Sequence, residues 1–274
     1  EYTEAQRLHE DTLERRRRTL GADHPDTLST ASNLANALGQ FGKHSEARRL
    51  LEDTLERHHR TLGADHPDTL STTSNLANAL SHLGKHAKAR RLLEDTLERH
   101  HRTLGADHPD TLSTTNNLAV TLADVGKYTE ARRLHEDTLE RRRRTLGADH
   151  PDTLISANNL AASLVDVGKY TEARRLHEDT LERRRRTLGA DHPDTLVSAN
   201  NLANILADFR QLPAAERILR DVRARSRRVL GEDHPDTQRV TENLARVLIA
   251  QGRPFEAHRL RATGGKGEKR RKRR

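Results

Sequence analysis

The chain has 274 residues, of which 32% are apolar and 33% charged, with a formal net charge of +8 and a mean hydropathy of −0.93. It contains no Cys and no Trp and only three Tyr and three Phe, which excludes disulfides, thiolate metal sites and cysteine nucleophiles and leaves few aromatic faces for base stacking. No apolar run approaches the ~18 residues of a membrane span and no charged-then-apolar leader opens the chain, so the expectation is a soluble cytoplasmic protein with no membrane partner.

Such a composition alone fits a solvated or disordered chain; its periodicity argues otherwise. "LGADHPDTL" occurs at Leu20, Leu62, Leu104, Leu146 and Leu188, with "LGEDHPDTQ" at Leu230, always 42 residues apart. A fixed period in this range marks a stacked-repeat protein.

In chain order, residues 1–21 read as a half repeat. The chain starts inside a helix, which points to a piece of a longer polypeptide. The first full unit then follows. From Pro25 the apolar positions Leu28, Ala31, Leu34, Ala35, Leu38 and Phe41 recur at helical spacing and predict a helix A of about 17 residues stopped by Gly42. A helix B follows through Ala47, Leu50, Leu51, Thr54, Leu55 and Leu62 and ends at Gly63.

The linking motif reads as punctuation: Gly21 caps the preceding helix B, Asp23 is the expected N-cap of helix A, and Pro25 and Asp26 suit the first turn. His24 has no role in this reading. His24 and its five equivalents each offer one imidazole per repeat, whereas zinc needs three or four converging ligands, so no metal is expected. The Arg runs at 15–18, 141–144 and 183–186 exceed one helical turn. Their stems are expected to cover the neighbouring repeat while their guanidinium groups reach acids of the "EDTLE" segments. His58-His59 and His100-His101 replace Arg in the same run and read as solvated variants.

Five full hairpins are followed by a degraded pair. Gln238, Arg239 and Glu242 enter its helix A, Pro254 interrupts the start of its helix B, and it ends near Thr263, as a polar capping repeat would. Residues 1–263 are thus read as one array. Residues 264–274 form a basic tail with seven basic residues and one acid, or +6, leaving about +2 on the repeats. The tail reads as disordered, and it gives an alternative function, nucleic-acid binding with the Arg-rich helices.

"NNLA" at Asn116, Asn158 and Asn200, "GKYTEARRLHEDTLE" at Gly126 and Gly168, and "LG.DHPDT" throughout closely resemble the 42-residue tetratricopeptide repeats of kinesin light chains and of many bacterial regulatory proteins. A kinesin light chain proper is not expected, because no heptad segment is present. Arg far outnumbers Lys in the repeats, which with the Ala content points to a GC-rich, actinobacterial-like genome. The resemblance implies an all-α, right-handed superhelical solenoid of antiparallel helix pairs. It also implies a non-catalytic scaffold whose A helices line a concave groove for a peptide or protein, as the sensor part of a larger regulator. The absence of "GxxxxGK[ST]", "GxSxG" and "HExxH" fits the expectation of no enzyme activity and no cofactor.

On a helical wheel, positions 29, 33, 36 and 40 of the first unit and their equivalents face away from the apolar stripe. The second row is Asn throughout: Asn33, Asn75, Asn117, Asn159, Asn201 and Asn243. An amide both donates and accepts, and in the resembling families an Asn here contacts peptide backbone, so this ladder is the expected peptide-binding site. The flanking rows vary between copies and are expected to set selectivity. They are Ser29, Ser71, Ser113, Ile155, Val197, Arg239; Asn36, Asn78, Val120, Ala162, Asn204, Arg246; and Gln40, His82, Asp124, Asp166, Asp208, Ala250. The Asp124, Asp166 and Asp208 strip favours a partner with basic residues.

Overall fold

The computed structural model describes residues 2–264, with the side chains of residues 7–262. Among them lie thirteen helices and no strand: α1 (Tyr2–Leu20), α2 (Pro25–Gln40), α3 (His44–Leu62), α4 (Pro67–His82), α5 (His86–Thr103), α6 (Pro109–Asp124), α7 (Tyr128–Leu146), α8 (Pro151–Asp166), α9 (Tyr170–Leu188), α10 (Pro193–Asp208), α11 (Leu212–Val229), α12 (Pro235–Ala250) and α13 (Pro254–Gly264). Even-numbered helices are the A helices of the repeat. The basic tail lies outside the described residues apart from Gly264, which ends α13.

Contacts divide the chain into two compact units, Glu1–Thr145 and Leu146–Arg274. In the first, each helix packs on the next from α1 to α6, and α2, α4 and α6 touch in sequence. Ala131 and Leu134 bring α7 into the same core as Leu118, Ala119 and Leu122. In the second, consecutive packing runs from α8 to α13, with α10 against α12.

The period sets the packing. Ala35, Ala77, Ala119, Ala161, Ala203 and Ala245 on the A helices are all buried, as are Ala47, Ala89, Ala131, Ala173, Ala215 and Ala257 on the B helices. Side chains this small let the helices approach closely, and Leu residues such as Leu80, Leu93 and Leu219 fill the layers between them. Each such Leu contributes roughly 1.5–3 kcal/mol by leaving water.

The helix starts correct one expectation and explain one residue. The N-cap is His24 rather than Asp23: His24 is extended (φ −66, ψ 137), and its Nδ1 accepts a hydrogen bond from the Asp26 N–H at 3.2 Å. His66, His108, His150, His192 and His234 cap α4, α6, α8, α10 and α12 in the same way. Asp23 is engaged elsewhere. Its carboxylate pairs at 2.8 Å with both Arg57 and Arg60 of the following helix B, and these hydrogen bonds, Arg57's foremost, hold it below the usual carboxylate range. The arrangement repeats at Asp65, Asp107, Asp149 and Asp191.

The Arg runs therefore divide by register. Arg57 also reaches Asp53 of its own "EDTLE" segment at 3.1 Å, as expected. Arg16 does not: its Nη1 donates to the Asp26 carbonyl at 2.8 Å and to Thr30 Oγ1 at 2.9 Å. In that register His58 and His100 are 2% exposed, not solvated, and each Nδ1 lies 3.1 Å from the hydroxyl of Thr72 or Thr114. His59 and His101 remain exposed. Pro254 begins α13 instead of interrupting it, since Pro at the first helical position forfeits no hydrogen bond.

Candidate functional site

Burial of Leu28, Ala31, Leu34, Ala35 and Leu38 turns the opposite stripe of α2 outward. Ser29, Asn33, Asn36 and Gln40 are exposed there. The equivalents in the other A helices grade inward. Asn75, Asn78, Asn117, Asn159, Asn201 and Asn204 are half-buried, and Asn243 is 6% exposed. The Asn243 amide donates to Asn200 Oδ1 at 2.9 Å and accepts from Arg246, so this member of the row spends its amide inside the protein.

The three aspartates have different surroundings. Asp124, in the first unit, accepts from Ser81 at 3.0 Å and lies 3.6 Å from His86 Nδ1. In the second unit, burial pushes the Asp166 carboxyl up, and Asp208 lines a cavity.

Each unit has an open cavity against its A helices. In the first, about 370 Å³ is lined by Asn36, Gln40, His44, Asn75, Asn78 and His82. The His44 and His82 rings stack there with centroids 4.3 Å apart, and burial, then the neighbouring His82, pushes the His44 pKa down. In the second, about 660 Å³ is lined by Tyr170, Asn204, Asp208, Phe209, Arg210, Asn243 and Arg246, with apolar walls from Val165, Leu212 and Val247. Tyr170 and Phe209 meet edge to face at 6.1 Å. Among the described residues no group of three or more His, Asp or Glu side chains is placed to hold a metal ion, and no helix is long and apolar enough to cross a membrane.

His44, Tyr170, Phe209 and Arg210 are absent from the sequence-derived site. Arg210 had a readable signal. Gly42, Gly84, Gly126, Gly168 and Gly252 occupy its register in the other copies, all with positive φ. Arg210 keeps that backbone at φ 58, the one non-glycine to do so among the described residues. A side chain there costs on the order of 1 kcal/mol.

Helix pairs with buried Ala rows and His-capped A helices define a helical repeat protein. A tetratricopeptide repeat pattern matches residues 69–110, 111–152, 153–194 and 195–236, a second matches 1–58 and a third 238–262. The chain belongs to the tetratricopeptide repeat family. It is 31% identical to a solved Podosopora anserina structure of kinesin-light-chain type with nearly identical repeats, covering 75% of this chain and 97% of that one with a TM-score of 0.60. BtubC from P. vanneervenii shares the fold at 20% identity, a TM-score of 0.64 and coverage of 85% and 94%. NprR, solved with its cognate peptide NprX, shares it at 16% identity, a TM-score of 0.65 and coverage of 90% and 67%. A comparison with curated proteins found no match.

Proposed function

We propose that the chain is a non-catalytic scaffold whose A-helix faces hold an extended peptide or partner segment, in the cytoplasm and as the sensor part of a larger regulator. The observation that carries this is the open cavity each unit places against its A helices, with the half-buried amides of Asn75 and Asn78 on the first and of Asn204 on the second. Half-buried amides are partly desolvated already, so a peptide backbone that satisfies them recovers hydrogen bonds at small further cost. NprR, which shares the fold, was solved with a bound peptide. Asp124 in the first unit favours segments that also carry Lys or Arg.

The test is a displayed random-peptide library selected on the full chain, followed by affinities for the chain with Asn75, Asn78, Asn117 and Asn204 changed to Ala. At least a tenfold loss is expected, since each abandoned hydrogen bond is worth about 0.5–1.5 kcal/mol. Unchanged affinities place binding elsewhere. The alternative, nucleic-acid binding, draws on residues 264–274 and predicts salt-sensitive retention that disappears with their deletion.

A further inference from the structure

We infer that the second-unit cavity is a receptor for a carboxylate carried beside a bulky apolar side chain, with Arg210 and Arg246 as the cations that receive it. This rests on the peptide-binding reading above and names the chemistry of one of its sites.

The argument begins with a residue that the repeat does not need. Every other described A-to-B turn of this type uses glycine at the Arg210 position, where the backbone has positive φ. The sequence around it departs as well, "DFRQL" standing where two earlier copies have "DVGKY". A strained side chain at a turn is retained where something outside the turn uses it, and among the described residues the Arg210 guanidinium has no hydrogen-bond or ion-pair partner: the residue is exposed and lines the cavity. Among the described residues Arg246, on α12, forms no ion pair within 4.0 Å; its Nη2 donates to the Asn243 amide oxygen, which orients the guanidinium at the same cavity. The arginines of the B helices are spent differently, two on each linker aspartate.

The apolar part of the occupant follows from the walls. Phe209, 37% exposed, and Tyr170, 41% exposed, leave aromatic surface open beside the arginines, with Val165, Leu212 and Val247 around them. Such a wall favours an aliphatic or aromatic side chain adjacent to the anion. Asp208 is the one acid on the lining. Against two guanidinium groups it leaves the cavity net positive, and it weakens anion binding. Arg binds carboxylates in a two-pronged geometry, so two of them suit either an Asp or Glu side chain or a free C-terminus.

The experiment uses the full chain and peptides selected on it from a random library, then synthesised with free and amidated C-termini. Arg210→Gly restores the residue of the other copies, so its folding is not at risk, and Arg246→Gln keeps the amide contact. Both are expected to weaken binding at least tenfold, and Asp208→Asn to strengthen it. Loss on amidation assigns the carboxylate to the C-terminus; loss on Asp or Glu replacement assigns it to a side chain. Peptides that lose affinity on the Asn-to-Ala changes yet bind R210G and wild type equally overturn this inference and leave the peptide-binding reading intact. Peptides indifferent to both sets, or no selectable peptide at all, overturn both.

Discussion

Arg57 Nη1 lies 2.8 Å from an oxygen of Asp23, thirty-four residues earlier in the chain, and the same bond joins Arg99 to Asp65, Arg141 to Asp107, Arg183 to Asp149 and Arg225 to Asp191. Each links a helix B to the turn before the preceding helix A. These turns are exposed, so salt should screen the contribution. Asp107→Asn is expected to lower the melting temperature at low salt, with the difference shrinking as salt rises to about 1 M. A deficit that salt leaves unchanged contradicts an ion-pair role.

The histidine caps make a separate prediction. Each Nδ1 satisfies one backbone N–H that the first turn otherwise leaves unpaired. His108→Ala is expected to cost about 1 kcal/mol in denaturant unfolding, and His108→Ser to recover most of it. Equal losses in both would show that the ring acts by packing rather than capping.

Two other histidines give the fold a pH dependence. His135 and His177 sit in the core where Leu51, Leu93 and Leu219 stand in other copies, and burial lowers both to about 4. The fold favours the neutral ring, so this stability is full above the unfolded value near 6.5 and is lost as pH falls from there toward 4, up to about 3 kcal/mol for each ring. His177 Nδ1 faces Asn158 Oδ1 at 3.2 Å, whereas Leu51 and Leu93 go with Ser32 and Ser74 in the same register. The double change Asn158→Ser with His177→Leu should therefore reduce the loss of stability between about pH 6.5 and pH 4. An unchanged slope in pH-dependent unfolding would refute the assignment.

Arg210→Gly should raise stability by on the order of 1 kcal/mol through relief of the positive-φ side chain. A fall in melting temperature would mean that Arg210 stabilises the turn through contacts and is not held there at a cost.

The helix pattern was legible because one repeat states it six times: α2 spans Pro25–Gln40 and α3 spans His44–Leu62, close to the bounds that apolar spacing predicts. What escaped depended on tertiary contact. Asp is ordinarily the better cap, but Asp23 is drawn away by Arg57 and Arg60 from the next hairpin, and His24 takes its place. His58 and His100 looked solvated because Arg fills their register elsewhere, yet there too the side chain runs inward: Arg184 is 3% exposed and bonded to the Asp194 carbonyl at 2.8 Å. Of the candidate rows, the outward placement of Ser29, Asn33, Asn36 and Gln40 on α2 was legible from periodicity, whereas the buried amide of Asn243 was not. Arg210 was legible only by comparing it with the glycines of its register, and the Tyr170–Phe209 edge requires the fold to bring α9 and the end of α10 together.

The most direct measurement is photo-crosslinking of a selected peptide carrying a single benzophenone residue, with the attachment sites mapped by mass spectrometry. Attachment to the A-helix faces, at residues around Asn75, Asn78 and Asn117 or around Asn204 and Phe209, is the predicted result. Attachment confined to the B helices, around the Arg–Asp pairs such as Arg102 with Asp65, would contradict it.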